Sequence, residues 1–265
     1  MKLTANLSLM YTERPFIERF KAAREDGFLA VEIQFPYDTP ISAIQQALLD
    51  NGQQCVLINV PAGDLMQGGR GLAAVPGKEA EYAAALVECL AYARGLNVSC
   101  VNVLPGRCPD ENQRVFYLDT FKKNLMTTAK ALSPFGITTT FEAINTRDMP
   151  GFLISSSAMM FDIIHELEMG ESIKAQYDIY HMALMGENVC QTITRHSDLI
   201  GHIQFADTPD RHEPGSGLLD FDEIFRTIET SGYQGWIGAE YKPSKATSAT
   251  LKWKNKLASA IAQCS

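Results

Sequence analysis

Eight short runs rich in apolar and β-branched residues recur along this 265-residue chain, and each is followed by a stretch with helical spacing. The runs are KLTANLSL near Lys2, AVEIQF from Ala30, QCVLINV from Gln54, SCVNVLP from Ser99, ITTTFEAIN from Ile137, IKAQYDIYH from Ile173, IGHIQFAD from Ile200 and WIGAEYKP from Trp236. Between them, PFIERFKAAREDG places Phe16, Phe20 and Ala23 on one helical face and stops at Gly27. DFDEIFRTIETSG repeats the design: acidic residues in the first turn, Ile224, Phe225 and Ile228 on one face, and Gly232 as the stop. Parallel strands need long crossovers, normally helices, so this alternation selects a parallel sheet. Eight units within one chain of this length predict an α/β fold of the (β/α)8 TIM barrel type, a single domain over residues 1–265. A doubly wound open sheet is the alternative, because alternation by itself does not establish closure.

Composition narrows the partners. With 46% hydrophobic and 20% charged residues the chain has the balance of an ordered globular protein. A formal net charge of −8 argues against nucleic acid, whose binding draws on a basic face that displaces counterions. Small anions stay accessible through a local basic residue. The six cysteines (Cys55, Cys89, Cys100, Cys108, Cys190 and Cys264) contain no C-x-x-C pair and read as buried free thiols of a reducing compartment. The N-terminus is a poor signal peptide, and no apolar stretch approaches the ~20 residues needed to span a bilayer. The expected location is cytoplasmic, with no membrane partner; a homo-oligomer is compatible with the sequence but not required by it.

One run raises a question of charge. In IKAQYDIYH, alternating Ile173, Ala175, Tyr177 and Ile179 suit a half-buried strand, while Asp178 puts a carboxylate on the opposite row. A buried carboxylate must be paired, hydrogen-bonded, protonated or metal-bound. Three neighbouring runs carry comparable residues near their ends: Glu142 in TFEAIN, Gln204 in HIQFAD and Glu240 in GAEYKP. The four are 26 to 36 residues apart, about one βα unit each, and in a closed barrel they converge at the C-terminal rim. Three carboxylates so close call for a proton or a cation. All-oxygen ligation by Glu142, Asp178, Gln204 and Glu240 favours Mg²⁺ or Mn²⁺ over Zn²⁺.

His181 and His202 lie near this set and can enter it, and Glu32 sits on an early strand where a structural role is equally open. Two long connections, residues 61–77 and 208–219, follow strands and are lid candidates on the active face. Arg211 in the second is suited to an anionic substrate. With His181 it forms a set of candidate substrate contacts that also includes Arg70, in the first long connection, and Asp207, just past the seventh run. Nucleotide-binding glycine loops and a G-x-S-x-G elbow are absent, PGSG at 214–217 reads as a turn, and MALMG and AMMF read as helix core.

Nearly the whole chain resembles the hydroxypyruvate isomerase family of the xylose isomerase-like barrels. The resemblance rests on ANLSLMYTERPFIERF, FPYD, PAGDLMQGGRGLAAVPGKE, FEAIN, PGF, QYDIYHM, GHIQFADTPDRHEPGSG and GYQGWIGAEYKP, in that order. It implies a metal-dependent aldose–ketose type isomerase, an intramolecular oxidoreductase, acting on a small anionic hydroxy-oxo acid. Hydroxypyruvate would be converted to tartronate semialdehyde through an enediolate; similar proteins isomerise 2-oxo-tetronate. The positions of Glu142, Asp178, Gln204 and Glu240 are implied to hold the metal, and Glu142 and Glu240 to exchange the proton. Related ketose 3-epimerases usually have histidine where this chain has Gln204, which counts against epimerase activity, and the family's PGRE is PGKE here, with Lys78 in place of arginine. A zinc-cluster nuclease on the same barrel is disfavoured by five histidines in all and the acidic net charge. A dehydratase or lyase, or a non-catalytic sugar-acid sensor, are further alternatives.

Overall fold

The computed structural model describes residues 1–255 and 257. All eight sequence runs contribute a strand: β1 Lys2–Asn6, β2 Ala30–Ile33, β3 Gln54–Asn59, β4 Cys100–Val103, β5 Thr138–Glu142, β6 Ile173–Asp178, β7 Ile200–Phe205 and β8 Trp236–Ala239. They pair in chain order, and β1 pairs in parallel with β8 through Lys2↔Trp236 to Ala5↔Ala239. The sheet is therefore a closed barrel, and the open-sheet alternative falls.

Helices fill the crossovers: α1 Phe16–Glu25, α2 Ile41–Asn51, α3 Glu79–Gly95, α4 Arg114–Leu132, α5 Ser157–Leu167, α6 Ile179–Leu184, α7 Val189–His196 and α8 Phe221–Thr230. Their starts are chemically marked. Pro15 and Pro40 precede α1 and α2, and the Ser156, Asn188 and Asp220 side chains accept backbone N–H groups at the starts of α5, α7 and α8. Phe221, Ile224, Phe225 and Ile228 bury one face of α8 as the spacing predicts.

The run IKAQYDIYH is not one strand. It divides after Asp178, whose carboxylate accepts the N–H groups of Tyr180 and His181 and so caps α6. Period-2 alternation described Ile173 to Tyr177 correctly, but a capping aspartate redirects the backbone, and Ile179 is buried from a helix. In the Met-rich runs, Met160 and Met182 are core, whereas Met185 is more than a third exposed. Cys55, Cys89, Cys100 and Cys108 are buried free thiols and Cys190 is half-buried; Cys264 lies outside the described residues. Among the described residues, no helix is long and apolar enough to cross a membrane.

Side chains alternate along the later strands. Ala175, Tyr177, Ile203, Phe205, Ala239 and Tyr241 join the main hydrophobic core, while Gln176, Asp178, His202, Gln204 and Glu240, also buried, take the intervening positions. Glu32 is among these buried polar residues, and its carboxylate reaches across to β8 at Gly238. A Cβ there would stand 2.5 and 2.7 Å from the two Glu32 oxygens. Since three side chains hold that carboxylate in place, Gly238→Ala should cost about 1–3 kcal/mol, an overpacking penalty. Urea denaturation checks this; a midpoint equal to the parent's would show that the carboxylate can retreat.

Candidate active site

Strand register brings the predicted residues together. Glu142 pairs with Gln176 across β5 and β6, Asp178 with Gln204 across β6 and β7, and Gln204 with Gly238, two residues before Glu240. Glu142, Asp178 and His181 present ligand-capable atoms within 4.8 Å of one another, all buried. Glu142, His181, Arg211 and Glu240 line a cavity of about 110 Å³ together with the apolar side chains of Phe35, Met66, Leu104, Ile144 and Met149.

Each carboxylate is held by neighbours. Glu142 accepts from Asn102 at 2.9 Å. Asp178 spends Oδ1 on the α6 cap and turns Oδ2 toward Arg211 at 3.4 Å and His181 at 3.5 Å. Glu240 Oε1 accepts from Asn6, Gln34 and Gln204 at 2.9, 2.9 and 3.1 Å, and its Oε2 accepts from Arg211. Burial, reinforced by the Asp178 charge, pushes the Glu142 carboxyl up to about 7. Burial also raises Glu240 well above the usual range, against the opposing pull of Arg211. Arg211 stays charged despite its desolvation because Glu240, Asp178 and Glu142 surround it.

His181 is pushed down to about 4 by burial, so its ring is neutral near pH 7. The Asn145 side-chain and backbone nitrogens both approach Nδ1, at 2.6 and 3.5 Å, which places the ring hydrogen on Nε2. That N–H faces Asp178 and the site. Beneath the rim, Glu32 accepts from Asn6, Gln204 and His202 at 3.1, 2.8 and 2.7 Å. Gln204 therefore directs its amide nitrogen to Glu32 and Glu240 and its oxygen to Gln176, at 2.7 Å. In this arrangement it is a donor to the glutamates and presents no oxygen to a metal, unlike the four-oxygen set expected from the strand ends.

Two expected substrate contacts do not reach the cavity. Asp207 accepts the backbone N–H groups of Thr208, Gly215, Gly217 and Leu219, all between 2.8 and 3.1 Å, and so organises the 208–219 connection. The same bonds explain PGSG as a turn: Asp207 takes the N–H groups of its two glycines, and the Ser216 N–H donates to the Glu213 carbonyl. Arg70 is exposed and donates to the Tyr117 hydroxyl at 3.0 Å. Lys78 pairs with Glu81 on the surface, away from the cavity. The 61–77 connection is a braced wall: Asp64 accepts from Gly71, Arg107 donates to the Leu65 and Gly69 carbonyls, and Asn124 donates to Ala73. Only Met66 projects from it into the cavity lining.

Sequence reasoning passed over Asn6, Gln34, Asn102 and Gln176, the amides that hold the carboxylates. A signal was present, since each lies in or just past a strand, in the same rim zone as the acids.

The raised Glu142 carboxyl has a consequence for the metal-free protein. The folded state binds that proton more tightly than the unfolded chain, whose value is near 4.5. Its stabilising contribution is complete below pH 4.5 and lost as pH rises through about 7. In EDTA, the Tm of the parent relative to Glu142→Gln should therefore fall between pH 5 and pH 8. Parallel Tm profiles would contradict the shift.

Comparison with known proteins agrees with the barrel. Residues 20–258 match the family model for the xylose isomerase-like TIM barrel. The chain is 38% identical over 253 residues to hydroxypyruvate isomerase of Escherichia coli K12, covering 96% of this chain and 98% of that protein. It is 39% identical over 252 residues to 2-oxo-tetronate isomerase of Cupriavidus necator, covering 95% and 96%. A Brucella melitensis crystal structure described as an AP endonuclease of family 2 superposes with a TM-score of 0.91 at 36% identity, covering 96% of this chain and 98% of that one. The chain belongs to the xylose isomerase-like TIM barrel family, as an isomerase of the group that includes these two acid isomerases.

Proposed function

We propose that this protein interconverts a short hydroxy-oxo acid and its aldehyde isomer, with hydroxypyruvate and tartronate semialdehyde as the pair, using a divalent metal. The observation that carries this reading is a set of buried carboxylates, Glu142 and Glu240 lining one small cavity and Asp178 beside them, with the Arg211 guanidinium bridging Asp178 and Glu240. Such a donor set fits a hard cation, Mg²⁺ or Mn²⁺, and Gln204 joins as a fourth ligand if its amide turns over. When bound, the ion supplies Lewis-acid stabilisation of charge developing on substrate oxygen.

The chain's own groups account for the rest. Arg211 provides the bidentate fork that a substrate carboxylate needs. The His181 Nε2–H donates to a substrate oxygen, and Asn145 fixes the ring for that task. Glu142 and Glu240 exchange a proton with neighbouring carbons from opposite sides, passing through the enediolate of the substrate. The apolar side chains in the lining reduce the water beside the reacting carbons, which protects an enediolate and strengthens the electrostatics.

A second substrate, 2-oxo-tetronate, is supported by a relative of that activity as similar as the hydroxypyruvate enzyme. The test is proton NMR in D₂O with each acid, with Mn²⁺ or Mg²⁺ and after EDTA. Interconversion that needs the metal, with deuterium entering beside the carbonyl, is expected, and relative rates rank the acids. Glu142→Gln and Glu240→Gln should each lose at least ~10²-fold in kcat. Substantial turnover in both variants would sink the proton-exchange assignment, and an unsaturated product would favour a dehydratase.

A further inference from the structure

The guanidinium of Arg211 occupies the position of a counter-ion. It donates to Glu240 Oε2 and to Asp178 Oδ2, the one Asp178 oxygen the α6 cap leaves available. Asp178 belongs with Glu142 and His181 to the buried group whose atoms lie close enough to hold a cation, and Oδ2 is the oxygen it has left to offer one. Meanwhile Arg211 Nε is buried with no partner, so this pose leaves that donor unsatisfied at a cost. Its backbone is fixed: φ is +59°, the Lys242 N–H donates to its carbonyl at 2.7 Å, and Asp207 clamps the connection around it. Any exchange is thus a movement of the side chain alone. The Tyr180 ring, with its centroid 5.1 Å from the guanidinium carbon, offers an aromatic face along which it can turn.

We propose that Arg211 and the divalent cation are mutually exclusive occupants of these two carboxylate oxygens. Without the cation Arg211 neutralises Asp178 and Glu240; metal entry displaces it, and only then is its fork released for the substrate carboxylate. Metal therefore binds before the acid. The inference rests on the metal reading above and adds an internal competitor to it.

The test measures Mn²⁺ binding by EPR and titration calorimetry on metal-stripped parent, Arg211→Met and Arg211→Lys, without substrate. Removing the competitor should tighten Mn²⁺ binding in Arg211→Met by about ten- to hundredfold, the scale of a hydrogen bond between charged groups that no longer has to be broken. Arg211→Lys, which keeps the charge, should fall between. A readout in the unaltered protein runs alongside: phenylglyoxal labelling of Arg211, followed by peptide mapping, should accelerate when Mn²⁺ is added. Equal or weaker Mn²⁺ binding by Arg211→Met, or labelling that Mn²⁺ leaves unchanged or slows, overturns the exchange while leaving the metal reading intact. Absence of Mn²⁺ binding in parent and variants overturns both.

Discussion

Three carboxylates share one small, buried space at the mouth of the barrel, and the rest of the site follows from the repulsion between them. Glu142, Asp178 and Glu240 cannot all stay ionised there without compensation. The protein supplies it at several levels. Amides from β1, β4 and the turn after β2 donate to the glutamates, the α6 backbone donates to Asp178, and Arg211 reaches in from the 208–219 connection. What remains is a raised Glu142 carboxyl and a buried group, Glu142, Asp178 and His181, whose ligand-capable atoms lie close enough together to hold a cation. Repulsion that a merely stable barrel would avoid is retained here, and the proposed proton transfer would draw on it.

A second polar layer supports the first. Glu32 lies against Gly238 and collects three donors, among them Gln204, whose amide it orients toward Glu240. The arrangement ties β1, β2, β7 and β8 together beneath the rim, around the seam where the barrel closes. Closure and the placing of Glu240 are consequently one construction: displacing Glu32 would disturb both. Satisfied networks of this kind rigidify a site, and catalysis by positioned carboxyls depends on such rigidity.

Much of this was legible in the sequence, for identifiable reasons. Strand runs could be found because barrel strands are short, apolar and separated by amphipathic helices. Glu142, Asp178, Gln204 and Glu240 stood out because polar residues interrupt those runs near their C-terminal ends. The contacts of Asp207 and Arg70 could not be read from the sequence, because a strand-end acid and a loop arginine look alike whether they face substrate, backbone or a neighbouring hydroxyl. Only geometry reveals that four N–H groups consume the Asp207 lone pairs. The direction of the Gln204 amide depends on Glu32, 172 residues away, a separation no local pattern encodes. Likewise the 61–77 connection has the length of a lid, yet bonds from Asp64, Arg107 and Asn124 make it a wall.

The most direct test of the account is a crystal structure of the metal-stripped protein soaked in Mn²⁺, with anomalous scattering recorded at the manganese edge. The account predicts one strong anomalous peak within bonding distance of Glu142, Asp178 and Glu240, with Arg211 turned away from Asp178 Oδ2. A map with no peak among these carboxylates at saturating Mn²⁺, and Arg211 still bridging Asp178 and Glu240, would contradict it.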